Sequence, residues 1–331
     1  MRTVLVLSLL LGSSLAASAQ ETLAPKGTLL DGPLPASLAD EEEGEQEKQE
    51  KREEQIVVSA GKLDDENPVG PYKRPMWTLH RVSPQTRIYL QVDPGEVEFE
   101  QWVDMRVSKD TSKGTEARLS EEFEFGLGSR FQLDLYANSV FEGSGRTSTL
   151  VIRSWAAELR YAFADWGVIP GNPTLYLEYI LWNNNPNDGT PGDQATASIE
   201  PKLLLGGEFA AGWHWGANLF FERTFNESVR EHGVTFSLLH TVVDKVFTAG
   251  LASEYKYESD ELPGGSRNRT HQLYVGPSFQ LRMAPVESEV EVNGVKTKIT
   301  RARAHLDVEP IWGCTGESDR AQIVIIFGWD F

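Results

Sequence analysis

The stretch Ala321-Gln322-Ile323-Val324-Ile325-Ile326-Phe327-Gly328-Trp329-Asp330-Phe331 decides the fold. Side chains of a strand alternate between two faces. Ile323, Ile325, Phe327, Trp329 and Phe331 therefore share one face, and the run reads as a single amphipathic strand that finishes on an aromatic residue.

The same period of two extends back to Val97. In one run Ala117, Leu119, Phe123, Phe125 and Leu127 oppose Glu116, Arg118, Glu122 and Glu124. In the next, Phe131, Leu133, Leu135, Ala137 and Phe141 oppose Gln132, Asp134 and Asn138. A third sets Val151, Trp155, Ala157, Leu159 and Tyr161 against Ser154, Glu158 and Arg160. Adding Val97 to Lys109 and runs centred on Leu177, Leu203, Leu219, Phe236, Leu251, Leu273, Leu306 and Ile325 predicts about twelve strands. Most runs are roughly 11 to 14 residues long, whereas soluble strands stop at about five or six and tilted membrane strands need about 9 to 11. The expected fold class is all-β: a transmembrane antiparallel barrel over residues 96–331, with each strand facing lipid on one side and a polar interior on the other. A mean hydropathy of -0.35 fits that division and argues against a helical membrane protein, while 40% hydrophobic and 10% aromatic residues support a folded body.

Upstream, residues 1–19 read as a signal peptide: Arg2, an apolar stretch from Val4 to Leu11, and Ala17-Ser18-Ala19 as the cleavage site. Residues 20–61 are expected to be a disordered acidic tail in the periplasm, since Asp40 to Glu54 holds nine acids and three bases, a third of the net charge of -18. Residues 62–95, with five prolines and isolated aromatics such as Tyr72 and Trp77, read as a periplasmic or lumenal lead-in. The acidic balance, with no cluster of Lys and Arg, excludes nucleic acid as a partner. A single cysteine, Cys314, excludes an internal disulfide and a cysteine zinc cluster.

Connection lengths set the orientation, because bacterial barrels have short periplasmic turns and longer outer loops. With a periplasmic N-terminus, the polar stretches Asn183 to Gln194 and Glu258 to Arg269 fall outside. The tight connections Gly126 to Arg130, Ala210 to Gly212 and Val243 to Lys245 then fall on the periplasmic side. Arg282 to Ile299, around the turn signal Asn293-Gly294, is a periplasmic β-extension or a strand miscount. Trp102, Trp155, Trp166, Trp182, Trp213, Trp215, Trp312 and Trp329 are expected to form two headgroup girdles, with His214 as an interface residue.

Three resemblances add to this. The terminal strand resembles the C-terminal signal of single-chain outer-membrane proteins, which implies that Trp329 and Phe331 mark the chain for the barrel-assembly machinery. The body resembles a group of outer-membrane barrels of unassigned function in Pro68-Val69-Gly70-Pro71-Tyr72, Glu124-Phe125-Gly126-Leu127-Gly128-Ser129-Arg130-Phe131-Gln132-Leu133, Gly171-Asn172-Pro173-Thr174-Leu175-Tyr176 and Glu200-Pro201-Lys202-Leu203-Leu204-Leu205-Gly206-Gly207. Glu54-Gln55-Ile56-Val57-Val58-Ser59-Ala60 resembles the TonB box of energised receptors. That likeness implies contact of Ile56, Val57 and Val58 with TonB by strand addition. Those receptors have about 22 strands and a plug, and here only 36 residues separate Ala60 from Val97.

The candidate lumen network is a row of inward charges: Glu98, Glu100, Asp104 and Arg106 on the first strand, and Glu116, Arg118, Glu122 and Glu124 on the second. Arg301, Arg303 and His305 on the eleventh strand and Arg320 on the twelfth should face them across the closure seam. Glu158 with Arg160, Glu200 with Lys202, and Glu178, Glu208 and Glu222 extend it. Such charges either pair to fill a narrow interior or line a pore that filters by charge. The six histidines show no metal-ligand spacing, no nucleophile is supported by a partner histidine, and no cofactor fingerprint is present. The expectation is a non-enzymatic outer-membrane protein, without cofactor or metal, that passes or binds a small solute. Its partners would be outer-membrane lipid, the assembly machinery and TonB. The alternatives are a packed structural or interaction barrel, and a lipid-modifying or proteolytic enzyme.

Overall fold

A strand with one apolar and one polar face needs a fitting environment on each side and a partner on each edge. The computed structural model describes residues 63–331 apart from 112–113, 143–148, 184–196, 226–228, 262–265 and 293–294. The signal segment, the acidic tail and Ile56, Val57 and Val58 lie outside the described residues. The described chain begins with a 3-10 turn, Asp64–Glu66. A two-residue ladder follows, β1 (Pro68–Val69) with β2 (Arg74–Pro75), and then a second 3-10 turn, Met76–Leu79.

Twelve strands follow: β3 (Val97–Val107), β4 (Thr115–Gly128), β5 (Phe131–Glu142), β6 (Thr149–Ala162), β7 (Thr174–Trp182), β8 (Ala197–Ala210), β9 (Trp213–Thr224), β10 (Arg230–Val243), β11 (Phe247–Glu261), β12 (Arg267–Val292), β13 (Val295–Gly313) and β14 (Ala321–Asp330). Each pairs antiparallel with its sequence neighbour, and β14 returns to β3, so the sheet closes into a barrel. Ile325 lies opposite Val103, Trp329 opposite Phe99, and the Phe331 N–H donates to the Val97 carbonyl at 3.0 Å. The alternation sorts the faces: Leu135, Trp155, Leu159 and Leu219 are exposed on the outer wall, while Asp134, Ser154, Glu158 and Asn218 are buried inside.

One rim carries the tight turns between β4 and β5, β8 and β9, and β10 and β11. At the first, Ser129 and Arg130 have φ of 48° and 64°, the turn hand that matches the twist of paired strands. The strand ends that flank residues 183–196 and 262–266 lie at the opposite rim. The second of these segments is short because β11 and β12 take up most of the stretch read as a loop. On the tight-turn rim β12 and β13 run on past their neighbours. β11 ends its pairing at Leu281, but β12 continues to Val292, opposite Val295. The Asn293-Gly294 turn itself is outside the described residues. The hairpin is therefore an extension of the sheet, and the strand count of twelve holds.

The apolar core lies inside the barrel. Trp77, Val82 and Ile88 form a buried cluster with Leu239 of β10, and Tyr72, Tyr89 and Leu90 form another with Ala162 of β6. Gly206 and Gly216, paired across β8 and β9, present bare backbone there. A Cβ on Gly206 would come within 2.5 Å of Ile88 Cγ2, and one on Gly216 within 2.8 Å of Thr86 Cγ2.

Candidate functional site

The register sets inward carboxylates side by side. Glu98 pairs with Glu124, Glu124 with Asp134, Asp134 with Glu158, Glu158 with Glu178, and Glu178 with Glu200. One row of acids thus crosses β3 to β8. Directly opposed like charges repel, and an unpaired buried charge costs several kcal/mol. The lead-in answers them. Arg81 donates to Glu100 of β3 and to Glu122 and Glu124 of β4, the last two at 2.9 and 3.2 Å. Arg87 reaches Glu122 at 2.8 Å and both Glu124 and Asp134 at 3.4 Å. Arg160 of β6 adds Asp134 at 2.6 Å and the neighbouring Glu158. Neutral groups complete the network. The Gln132 amide donates to Glu124 and Asp134, both at 2.9 Å, and its carbonyl accepts the Gln91 N–H at 2.8 Å. The Trp102 indole donates to Glu100 and Glu122 at 3.0 Å, under the Arg81 guanidinium, and the Tyr136 hydroxyl donates to Glu158.

The lead-in is also fastened at the tight-turn rim. The Asp64 and Asp65 N–H groups donate to the Asp244 carboxylate at 2.9 and 3.1 Å, Lys245 reaches Asp64 at 2.7 Å, and Arg282 pairs with Asp65. The hydrogen bond to Asp64 raises the Lys245 ammonium above its ordinary pKa, and burial raises the Asp65 carboxyl against the pull of Arg282.

Towards the other rim lies a cavity of about 920 Å³, floored by Pro84, Gln85 and Arg87 of the lead-in. Its walls carry Tyr136, Tyr176 and Phe220 beside the pairs Asp104–Arg106 at 3.0 Å and Glu200–Lys202 at 2.8 Å. Glu116 and Arg118, with side chains 47% and 48% exposed, pair at its mouth.

Of the expected network, Glu98, Glu100, Glu122, Glu124, Glu158 and Arg160 are buried together inside, and Glu178, Glu200, Lys202, Asp104 and Arg106 line the cavity. The seam arginines are placed differently. Arg301 forks onto Glu96 at 2.7 and 3.1 Å. Arg303 is exposed, donating to the Asp330 carbonyl at 3.1 Å beside the Trp329 ring. Arg320 is exposed and uses its backbone N–H to pair with Val107. The reason is local: the β12–β13 pairing skips Ala284 and Arg303, with Ala284 at φ 51°, so alternation does not carry through to Arg303, and Arg320 precedes β14. Two expected girdle residues also turn inward, Trp102 onto Arg81 and Trp166 onto Trp77 and Tyr89. His214 is buried and stacks on Trp77 with ring centres 4.1 Å apart. Sequence reading missed Arg81 and Arg87, although basic residues at 74, 81 and 87 in an otherwise acidic chain were a signal.

Among the described residues, three groups of side chains bring ligand-type atoms within 4.8 Å of one another: Glu100, Glu122 and Glu124; Glu122, Asp134 and Glu158; and His80, Glu98 and His305. Guanidinium groups already occupy the first two.

No family model matches the sequence, and no curated protein matches it. Among solved structures the chain is similar to an outer membrane channel from Pseudomonas putida F1 (11% identity, 73% of this chain and 98% of that one, TM-score 0.47). It is also similar to LpxR from Salmonella typhimurium (9%, 71% and 100%, 0.40) and to the beta domain of the Bordetella autotransporter BrkA (10%, 72% and 100%, 0.37).

Proposed function

We propose that this protein is a non-enzymatic outer-membrane barrel that takes a small, positively charged solute into the cavity at its outer mouth, while its own residues 63–96 close the passage to the periplasm. The observation that carries this reading is the cavity floored by Pro84, Gln85 and Arg87. Its lining holds seven carboxylates against six basic groups; Glu178 and Glu200 continue the acid row that the lead-in neutralises deeper down, and an excess of carboxylates favours a cation. In the same reading residues 1–19 direct export, Trp329 and Phe331 serve insertion, and Ile56, Val57 and Val58 are where TonB would take hold. Co-purification with the TonB C-terminal domain, abolished by Val57→Pro, is the outcome expected of that contact.

The test uses the Cys314→Ser protein with Asn138→Cys in the cavity wall. A cationic methanethiosulfonate should react roughly tenfold faster than an anionic one. No reaction with either reagent would reject an open cavity and favour the packed structural barrel. A faster anionic reagent would reject the charge preference. Planar bilayers should show no steady conductance from the wild type.

A further inference from the structure

Three side chains from distant segments meet inside the closure seam: His80 after the second 3-10 turn, Glu98 of β3 and His305 of β13. None is more than 2% exposed, and one donor atom of each lies within 4.8 Å of the other two. His305 Nε2 is 2.9 Å from Glu98 Oε1 and 3.5 Å from Glu100 Oε1. The His80 and His305 rings are 4.5 Å apart and tilted by 40°. His305 Nδ1 faces Asp307 Oδ2 at 2.8 Å. A metal-binding imidazole is held in this way, with a carboxylate on one nitrogen aiming the other at the ion.

An independent observation comes from His80, whose buried Nδ1 has no hydrogen-bond partner. Buried polar groups are nearly always satisfied, and here the orphan belongs to a ligand-type ring beside two other potential ligands. Gly328, on the strand between β3 and β13, supplies the room, since a Cβ there would collide with His305 Nε2.

We propose that His80, Glu98 and His305 bind one divalent transition-metal ion, with Glu100 as a further oxygen donor. Two imidazoles with carboxylate oxygen are a donor set that suits Zn²⁺ and its neighbours. The ion ties the closing segment, through His80, to the wall, through Glu98 and His305. It takes the place of the direct contacts of His305 with Glu98 and Glu100.

Chelator-stripped full-length protein, titrated with Co²⁺ and read by visible absorption, should take up one ion per chain and release it to Zn²⁺. His80→Gln and His305→Gln should each weaken binding by roughly 100-fold or more, and Asp307→Asn by about 10- to 100-fold. His271→Gln, remote from the seam, should leave binding unchanged. Because a substituted chain can fail to fold, wild-type protein loaded with Cu²⁺ gives a second reading, in which electron paramagnetic resonance should show coupling to two nitrogens. Absence of stoichiometric Co²⁺ binding, binding undiminished in folded His80→Gln protein, or coupling to fewer than two nitrogens overturns the site. None of these outcomes bears on the cavity, which is read separately at position 138.

Discussion

Arg81 joins two strands, because its guanidinium is shared by Glu100 of β3 and by Glu122 and Glu124 of β4. Removing it strips the guanidinium from buried Glu100 and leaves Glu122 and Glu124 to Arg87 and Arg160 alone. Arg81→Gln should cost about 3 to 5 kcal/mol, read as a lower urea midpoint. Arg81→Lys should recover only part, since an ammonium lacks the planar fork that reaches several carboxylates at once. A loss comparable to that of an exposed ion pair, below about 1 kcal/mol, would show that the acids are compensated by something else. At a second position, Trp77 stacks on His214 and meets Trp166 edge-on. Trp77→Ala should cost about 3 to 5 kcal/mol by the same measurement. The acid side of this network was legible, because alternation alone sends Glu98, Glu100, Glu122 and Glu124 inward. On the basic side Arg160 was legible by the same alternation, but Arg81 and Arg87 were not, because they stand in a proline-rich segment without period, where nothing local says which way a side chain points.

At the scale of elements, the seat of the lead-in is built from an absence of side chains. Gly206 and Gly216 let Val82, Thr86 and Ile88 approach the wall of β8 and β9 closely. Gly216→Val should displace that stretch at a cost of about 1 to 3 kcal/mol. The expected readout is new protease cleavage within residues 63–96, with the heat-modifiable migration of the barrel retained. Unchanged protection would mean that the segment is held by its ion pairs alone. The strands themselves were readable from their period, and so was the closure of β14 on β3, since a long strand with two paired edges leaves few other solutions. The hairpin of β12 and β13 stayed ambiguous because extension and miscount place the same alternating residues in the same order. Only the pairing on to Val292 and Val295 separates them.

For the molecule as a whole, the proposed orientation, with the tight turns at β4–β5, β8–β9 and β10–β11 towards the periplasm, can be checked on cells. In a Cys314→Ser background, a membrane-impermeant maleimide applied from outside should label Arg118→Cys at the mouth and spare both Ile88→Cys and Val286→Cys. Labelling at 286 without 118 would invert the orientation. The sequence by itself determined the class of fold, the number of strands and the facing of most of their side chains, because a period of two is a local property of the backbone and survives any tertiary context. It also determined that a row of acids on the first two barrel strands would face inward. What only the tertiary structure decided is what answers that acid: the buried stretch from Arg74 to Val92 runs inside the barrel and brings Arg81 and Arg87 to a row of carboxylates, and His80 to His305. Those contacts join residues far apart in the chain, and they depend on strand register and on where an aperiodic segment runs, neither of which local pattern specifies.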